Sequence, residues 1–223
     1  MSSSIFAYEI NFPSTNIASV IYQTLSDLPD DETNYFNLQL ISPTALFGEY
    51  ITVQIVEESF YDTITRTFEK RQTTKANVIN FNINDCYLEI WGNKTHANRL
   101  VFAIAKAFHN NISINSIEVS ITDIITKLHE YKAKVSKVCF EDFLFTEDIV
   151  GNFTVDLSSY GDVFSVLEKY KEKISKLTFT LPCNGVSLKI TITSKGTITV
   201  YKMRDSYDDE ALELLHSILF KRG

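Results

Sequence analysis

The chain has 223 residues, 44% of them hydrophobic and 22% charged, and 21 Lys+Arg against 28 Asp+Glu set the net charge at −7. These values exclude gross disorder and bulk polyanion binding by the whole surface, and leave room for one large domain or two of about 110 residues. Gly (7) and Pro (4) are scarce while Phe (16) and Tyr (11) are abundant, which suits regular elements with short connections.

In chain order, Phe6, Tyr8, Ile10 and Phe12 alternate in a first strand. Ile17, Val20, Ile21, Leu25 and Leu28 then form one helical stripe that ends at Pro29-Asp30-Asp31-Glu32. From Tyr35 to Trp91 the period is two: Leu38 and Leu40, then Ile51, Val53 and Ile55, then Ile79, Phe81 and Ile83. The run from Glu57 to Lys75 is polar and Thr-rich, and reads as two strands with a mobile connection. Asn84-Asp85 is a tight turn into Leu88 and Ile90, and a helix over 94–109 has Ala97, Leu100, Val101, Ile104 and Phe108 on one face.

The order then restarts. A strand near Ile112–Val119 precedes a helix capped by Ser120-x-x-Asp123, with Ile121, Ile124, Ile125, Leu128 and Tyr131 on its stripe. Strands near 135–145 and 150–156 lead to a helix capped at Ser159-x-x-Asp162. A meander follows through Leu177–Leu181, Leu188–Ile192 and Ile198–Val200, and a last helix is capped at Ser206-x-x-Asp209. The expected fold is α+β: a mostly antiparallel sheet with helices on one face, in two pseudo-repeats of strand–helix–strands–helix, residues 1–110 and 111–223.

That doubled element order resembles the TATA-binding-protein family, across the whole chain in topology and in no residue motif. The resemblance implies a saddle-like sheet binding DNA in the minor groove through apolar wedges and basic rims. The chain departs from that pattern in its acidic charge, in an additional helix near 159–173, and in a polar outward face made of Thr178, Thr180, Lys189, Thr191, Thr193, Thr197, Thr199 and Tyr201. The resemblance therefore carries a fold expectation and no function.

Chemical motifs are scarce. His96, His109, His129 and His216 show no ligand spacing, Cys86, Cys139 and Cys183 are far apart, and there is no Gly-rich phosphate loop and no nucleophile elbow. The basic run Lys127, Lys132, Lys134 and Lys137 brackets a helix end, as a helix dipole favours. No cofactor and no metal are expected. Arg66, Lys70, Arg71 and Lys75, with Phe68 among them and Lys202 and Arg204 after the last strand, suit a phosphate backbone with a stacked base. Trp91 and Tyr201, each one residue past an inward Ile90 or Val200, are expected on the polar face as contact anchors.

The first expectation for function is a non-catalytic, cytoplasmic binding or adaptor subunit. It would contact another macromolecule, a protein subunit first of all, through its sheet face or the 57–75 segment, with no membrane partner. Nucleic-acid binding through Arg66, Lys70, Arg71 and Lys75 is the alternative, and a nuclease or other hydrolase with an unrecognised site is the third.

Overall fold

The computed structural model describes residues 3–13, 15–29, 31–117, 119–146, 149–183, 186–201 and 209–219. The fold is α+β, and every strand register described is antiparallel. The chain divides into two compact units, residues 8–115 and residues 1–7 with 116–223. Strand β1 (Ser3–Asn11) contributes Ser3–Ala7 to the second unit and its remainder to the first.

The first unit contains α1 (Ile17–Ser26), β2 (Asn34–Ser42), β3 (Ala45–Asp62), β4 (Thr67–Asn84), β5 (Tyr87–Gly92) and α2 (Lys94–Ala107), with the strands in the order β2-β3-β4-β5-β1. Alternation explains the core. Leu46, Ile79, Phe81, Ile83, Leu88 and Ile90 are buried under Ile17, Ala18, Ile21 and Leu25 of α1 and Ala97, Leu100 and Ile104 of α2. Asn93 caps α2 by accepting from His96 N. Helix α1 stops at Ser26, so Leu28 lies beyond the stripe that the sequence extends to it, and it is exposed. Gly48 leaves the space that the Phe81 ring fills.

The second unit follows the short β6 (Ser113–Ser116) with α3 (Ile121–Glu130), β7 (Lys134–Thr146), β8 (Ile149–Asp156), α4 (Val163–Tyr170), a 3-10 turn (Lys171–Lys173), β9 (Ile174–Cys183), β10 (Val186–Thr193), β11 (Thr197–Val200) and α5 (Asp209–Leu219). Its strands run β1-β11-β10-β9-β7-β8. One lateral row, Ile5, Ile198, Ile192, Leu177 and Val138, crosses five strands with every side chain fully buried. Burying five such side chains contributes on the order of 10 kcal/mol. Ile121, Ile124, Ile125 and Leu128 of α3, Leu167 of α4, and Ala211, Leu215 and Ile218 of α5 are buried with them.

Three expectations are corrected here. Ser120 does cap α3, accepting from Asp123 N, but Tyr131 is the exposed C-cap rather than part of the buried stripe. The cap of α4 is Asp162, which accepts from Ser165 N, so the cap lies three residues after the expected Ser159 and the helix starts at Val163. Lys134 and Lys137 belong to β7. Lys127 does serve a helix C-terminus, but that of α5: its Nζ donates to the carbonyls of Ser217 (2.6 Å) and Ile218 (3.2 Å). The expected cap Ser206 lies outside the described residues.

Candidate functional site

Among the described residues, all of the expected binding residues but Trp91 fall on two surfaces. In the first unit β3 and β4 pair over their full length, from Ala45 opposite Asn84 to Asp62 opposite Thr67. Strand β2 leaves β3 at Thr52 and β5 covers β4 only from Asn80. Residues 54–75 are therefore a two-stranded ribbon, and none of residues 54–78 is buried. At about 3.3 Å per residue each arm strand extends about 30 Å. Asp62 organises the turn by accepting from Ile64 N (2.7 Å), and this hydrogen bond, ahead of that with the Thr65 hydroxyl, holds its carboxyl below the ordinary range. The mobile connection expected over 57–75 is instead a continuous hairpin.

The two faces of the ribbon differ. One continues the side packed on the helices and carries Glu58, Phe60, Glu69, Arg71 and Lys75. The other carries Ile55, Glu57, Tyr61, Phe68 and Lys70, together with Ala76 and Val78, none of them buried. Tyr61 stands opposite Phe68 with ring centroids 5.2 Å apart, and Phe68 is 74% exposed. Ile64 at the tip is 91% exposed.

The basic cluster expected for nucleic acid is matched by carboxylates. Lys70 pairs with Glu57 (2.9 Å), Arg71 with Glu69 (2.9 Å) while lying over the Phe60 ring, and Lys75 with Glu58. Lys75 draws the Glu58 carboxyl below its ordinary range. Arg66 sits in the turn at φ 53°. Over 54–75 four carboxylates balance four cations, so the ribbon as a whole offers a polyanion no net charge.

Trp91 is a correction. The residue expected on the polar face is 5% exposed, and its Nε1 donates to Oε1 of Glu89, itself 3% exposed. Both faces of β5 are buried from Leu88 to Trp91. A buried indole N–H requires an acceptor, and the carboxylate two residues earlier on the same face supplies it.

Tyr201 and Lys189 mark the second surface, the side of the second unit's strands opposite its apolar row. Register aligns Asp156, Lys137, Thr178, Thr191, Thr199 and Ser4 across six strands. The next row carries Lys134, Thr180 and Lys189, and the row on the other side carries Thr154, Cys139, Lys176 and Thr193. Thr178 and Thr191 are buried and share a hydrogen bond (2.8 Å), and Thr191 also meets the Tyr201 hydroxyl (3.2 Å). Lys189 lies over the Tyr201 ring at 5.1 Å. None of Lys134, Lys137, Lys176 and Lys189 is buried. Asp156 is held low chiefly by its hydrogen bonds to Ser158, with Lys137 and Lys189 adding to the effect. Lys202 and Arg204 lie outside the described residues.

Sequence reasoning placed Lys134 and Lys137 at a helix end and passed over Lys176. The signal was there in the Lys176-x-Thr178-x-Thr180 alternation, which puts that lysine on the same face as the threonines.

The first unit also holds a cleft of about 610 Å³ between the end of α1, α2 and the start of β2, lined by Leu25, Phe36, Tyr50, Lys106 and His109 among others. Beside it Thr52 is buried, and its hydroxyl has no hydrogen-bond partner among the described residues. Asp31 lines the cleft with its carboxyl lowered to about 2, first by the Thr33 hydroxyl and then by the Thr33 N–H and Asn34. Among the described residues no group of three or more His, Cys, Asp or Glu is placed to hold a metal ion, and no helix is long and apolar enough to cross a membrane. The chain matches no protein-family model and no curated protein.

Proposed function

We propose that this chain is a non-catalytic binding subunit, working in the cytoplasm, which contacts another protein through the ribbon of residues 54–75. One observation carries the reading: a two-stranded ribbon buries none of its own residues, yet holds Tyr61, Ile64 and Phe68 exposed at its end. Isolated hairpins are marginal in water, and aromatic side chains in the open are the usual anchors of protein contacts. The test replaces residues 55–74 by a short Asn-Gly turn and uses both proteins as bait in extracts. The shortened chain keeps its fold by circular dichroism and loses partners that the full chain retains, untagged copies of itself included. If no partner depends on the ribbon, the reading fails.

Nucleic-acid binding is the second reading, favoured by a different observation: Lys134, Lys137, Lys176 and Lys189 lie on one open sheet face beside Tyr201. Lysines track a phosphate backbone, and an aromatic ring among them can stack a base. Fluorescent single- and double-stranded DNA and RNA then bind in a salt-dependent way. Changing Lys137, Lys176 and Lys189 to Ala abolishes the binding, and changing Arg66, Lys70, Arg71 and Lys75 leaves most of it. Absence of binding at low salt sinks it.

A further inference from the structure

Resting on the reading of the ribbon as a protein contact, we infer that its occupant is a second copy of this chain, joined by antiparallel pairing of the two free β4 edges about Gln72. Strand β4 from Thr67 to Ile79 has β3 on one side and no strand on the other among the described residues, so a row of backbone donors and acceptors faces outward. A two-fold axis through a pair of antiparallel edges keeps each face of the ribbon on the same side. Each residue must then meet one whose number differs from its own by an even count.

Charge selects among these registers. Centring on Lys70 or Arg71 opposes two like cations on the axis. Centring on Glu69 opposes two carboxylates, and centring on Thr73 sets Arg71 against Lys75. Centring on Thr74 pairs no opposite charges and sets Glu69 against the buried Ile79. Centring on Gln72 opposes Glu69 to Lys75 of the second copy, twice by symmetry, with no like charges face to face.

The same register completes the apolar side. Val53 is already opposite Ala76, and Tyr61 opposite Phe68. With Gln72 on the axis, Phe68 of the second copy falls opposite Ala76, which gives the continuous row Val53, Ala76, Phe68, Tyr61 across four strands, again twice. Exposed Val78 lies diagonal to that Phe68. The outer edge that remains, β3 from Gln54 to Asp62, carries Glu57, Glu58 and Asp62 and no Lys or Arg, so two such β3 edges repel each other, which disfavours pairing through β3 in place of β4.

The test is sedimentation and light scattering of the full chain over a concentration series, with variants at positions 69, 72, 74 and 75. Wild type forms a dimer. Lys75→Glu, which sets two carboxylates against each other twice, weakens it about tenfold or more, and Glu69→Lys with Lys75→Glu restores it to within a few-fold. Gln72→Cys forms an intermolecular disulfide under mild oxidation, because the two side chains meet on the axis, while Thr74→Cys and wild type do not. Circular dichroism verifies the fold of each variant. A monomer at every concentration overturns the second copy as occupant, and leaves the ribbon reading to the capture experiment above. A dimer that persists unchanged in Lys75→Glu, or one that crosslinks in the Thr74→Cys variant and not in Gln72→Cys, overturns the register and with it the inference.

Discussion

Trp91 and Glu89 stand two residues apart on one face of β5, both buried, with the indole N–H donating to the carboxylate. Asn82 adds a longer contact to the same oxygen (3.4 Å). Trp91→Phe keeps most of the apolar volume and removes one donor from a buried acid, so it costs about 2 kcal/mol in urea unfolding followed by circular dichroism. Glu89→Gln keeps a carbonyl acceptor and costs less. Trp91 is the single tryptophan of the chain, so its emission is blue-shifted in the native state and moves red in the same transition that the dichroism reports.

The buried hydroxyls of the second unit give a coupling experiment. Thr191→Val strands the Thr178 hydroxyl and removes the Tyr201 partner, so it costs about 1–2 kcal/mol. Thr178→Val costs less, since Thr191 keeps Tyr201. The double variant costs less than the sum of the singles, because it leaves no orphan at Thr178. A strictly additive pair, measured by chemical denaturation, would remove the hydroxyl row as an energetic unit.

Two glycines are intolerant for different reasons. A methyl at Gly48 runs into the Phe81 ring, and one at Gly196 meets the Ile117 carbonyl at a φ of +76° that side chains disfavour. Each Gly→Ala change costs about 1–3 kcal/mol, with Gly196 the worse, since backbone yields less than a side chain. Gly161, with open space around it, accepts Ala with a change within about 0.5 kcal/mol. Thermal melts of the three variants rank them.

Acid sensitivity centres on the loop before β2. Asp31 titrates at about 2 in the folded chain against an ordinary 3.8, through the Thr33 hydroxyl first. A lowered carboxyl adds stability in full above the unfolded value, and that contribution fades as pH falls from about 3.8 through about 2. Asp31→Asn therefore flattens the stability profile in that window and leaves its neutral end parallel to wild type. A carboxyl titration followed by NMR locates the midpoint directly, and a midpoint near 3.8 removes the effect.

The strands and helices were legible because their burial follows local periodicity: Ile79, Phe81 and Ile83, or Leu188, Ile190 and Ile192, fix a face from the sequence alone. Trp91 was misplaced because alternation assumes one wet face, whereas β5 is buried on both, and a carboxylate at Glu89 argues against burial until its partner is known. The ribbon's ion pairs were hidden for another reason. Glu57 and Lys70 are brought together by the hairpin register, and only the shared register shows that a basic-looking segment is neutral. The lysine–threonine face was half visible, since its threonines alternate locally while Lys137 reaches Thr178 only through a bulged strand pairing.

The partners of the first strand lie near the far end of the sequence, where Ser3 pairs with Val200 and Phe6 with Thr197. During synthesis β1 thus leaves the ribosome long before β11, the strand that will receive it. Residues 8–115 have their elements in hand early and can condense first, while Ser3–Phe6 wait for β11. The second unit closes only once β11 is available. A fragment beginning at residue 116 lacks β1, the strand that pairs with β11, and exposes the edge of β11 to whatever strand it meets first.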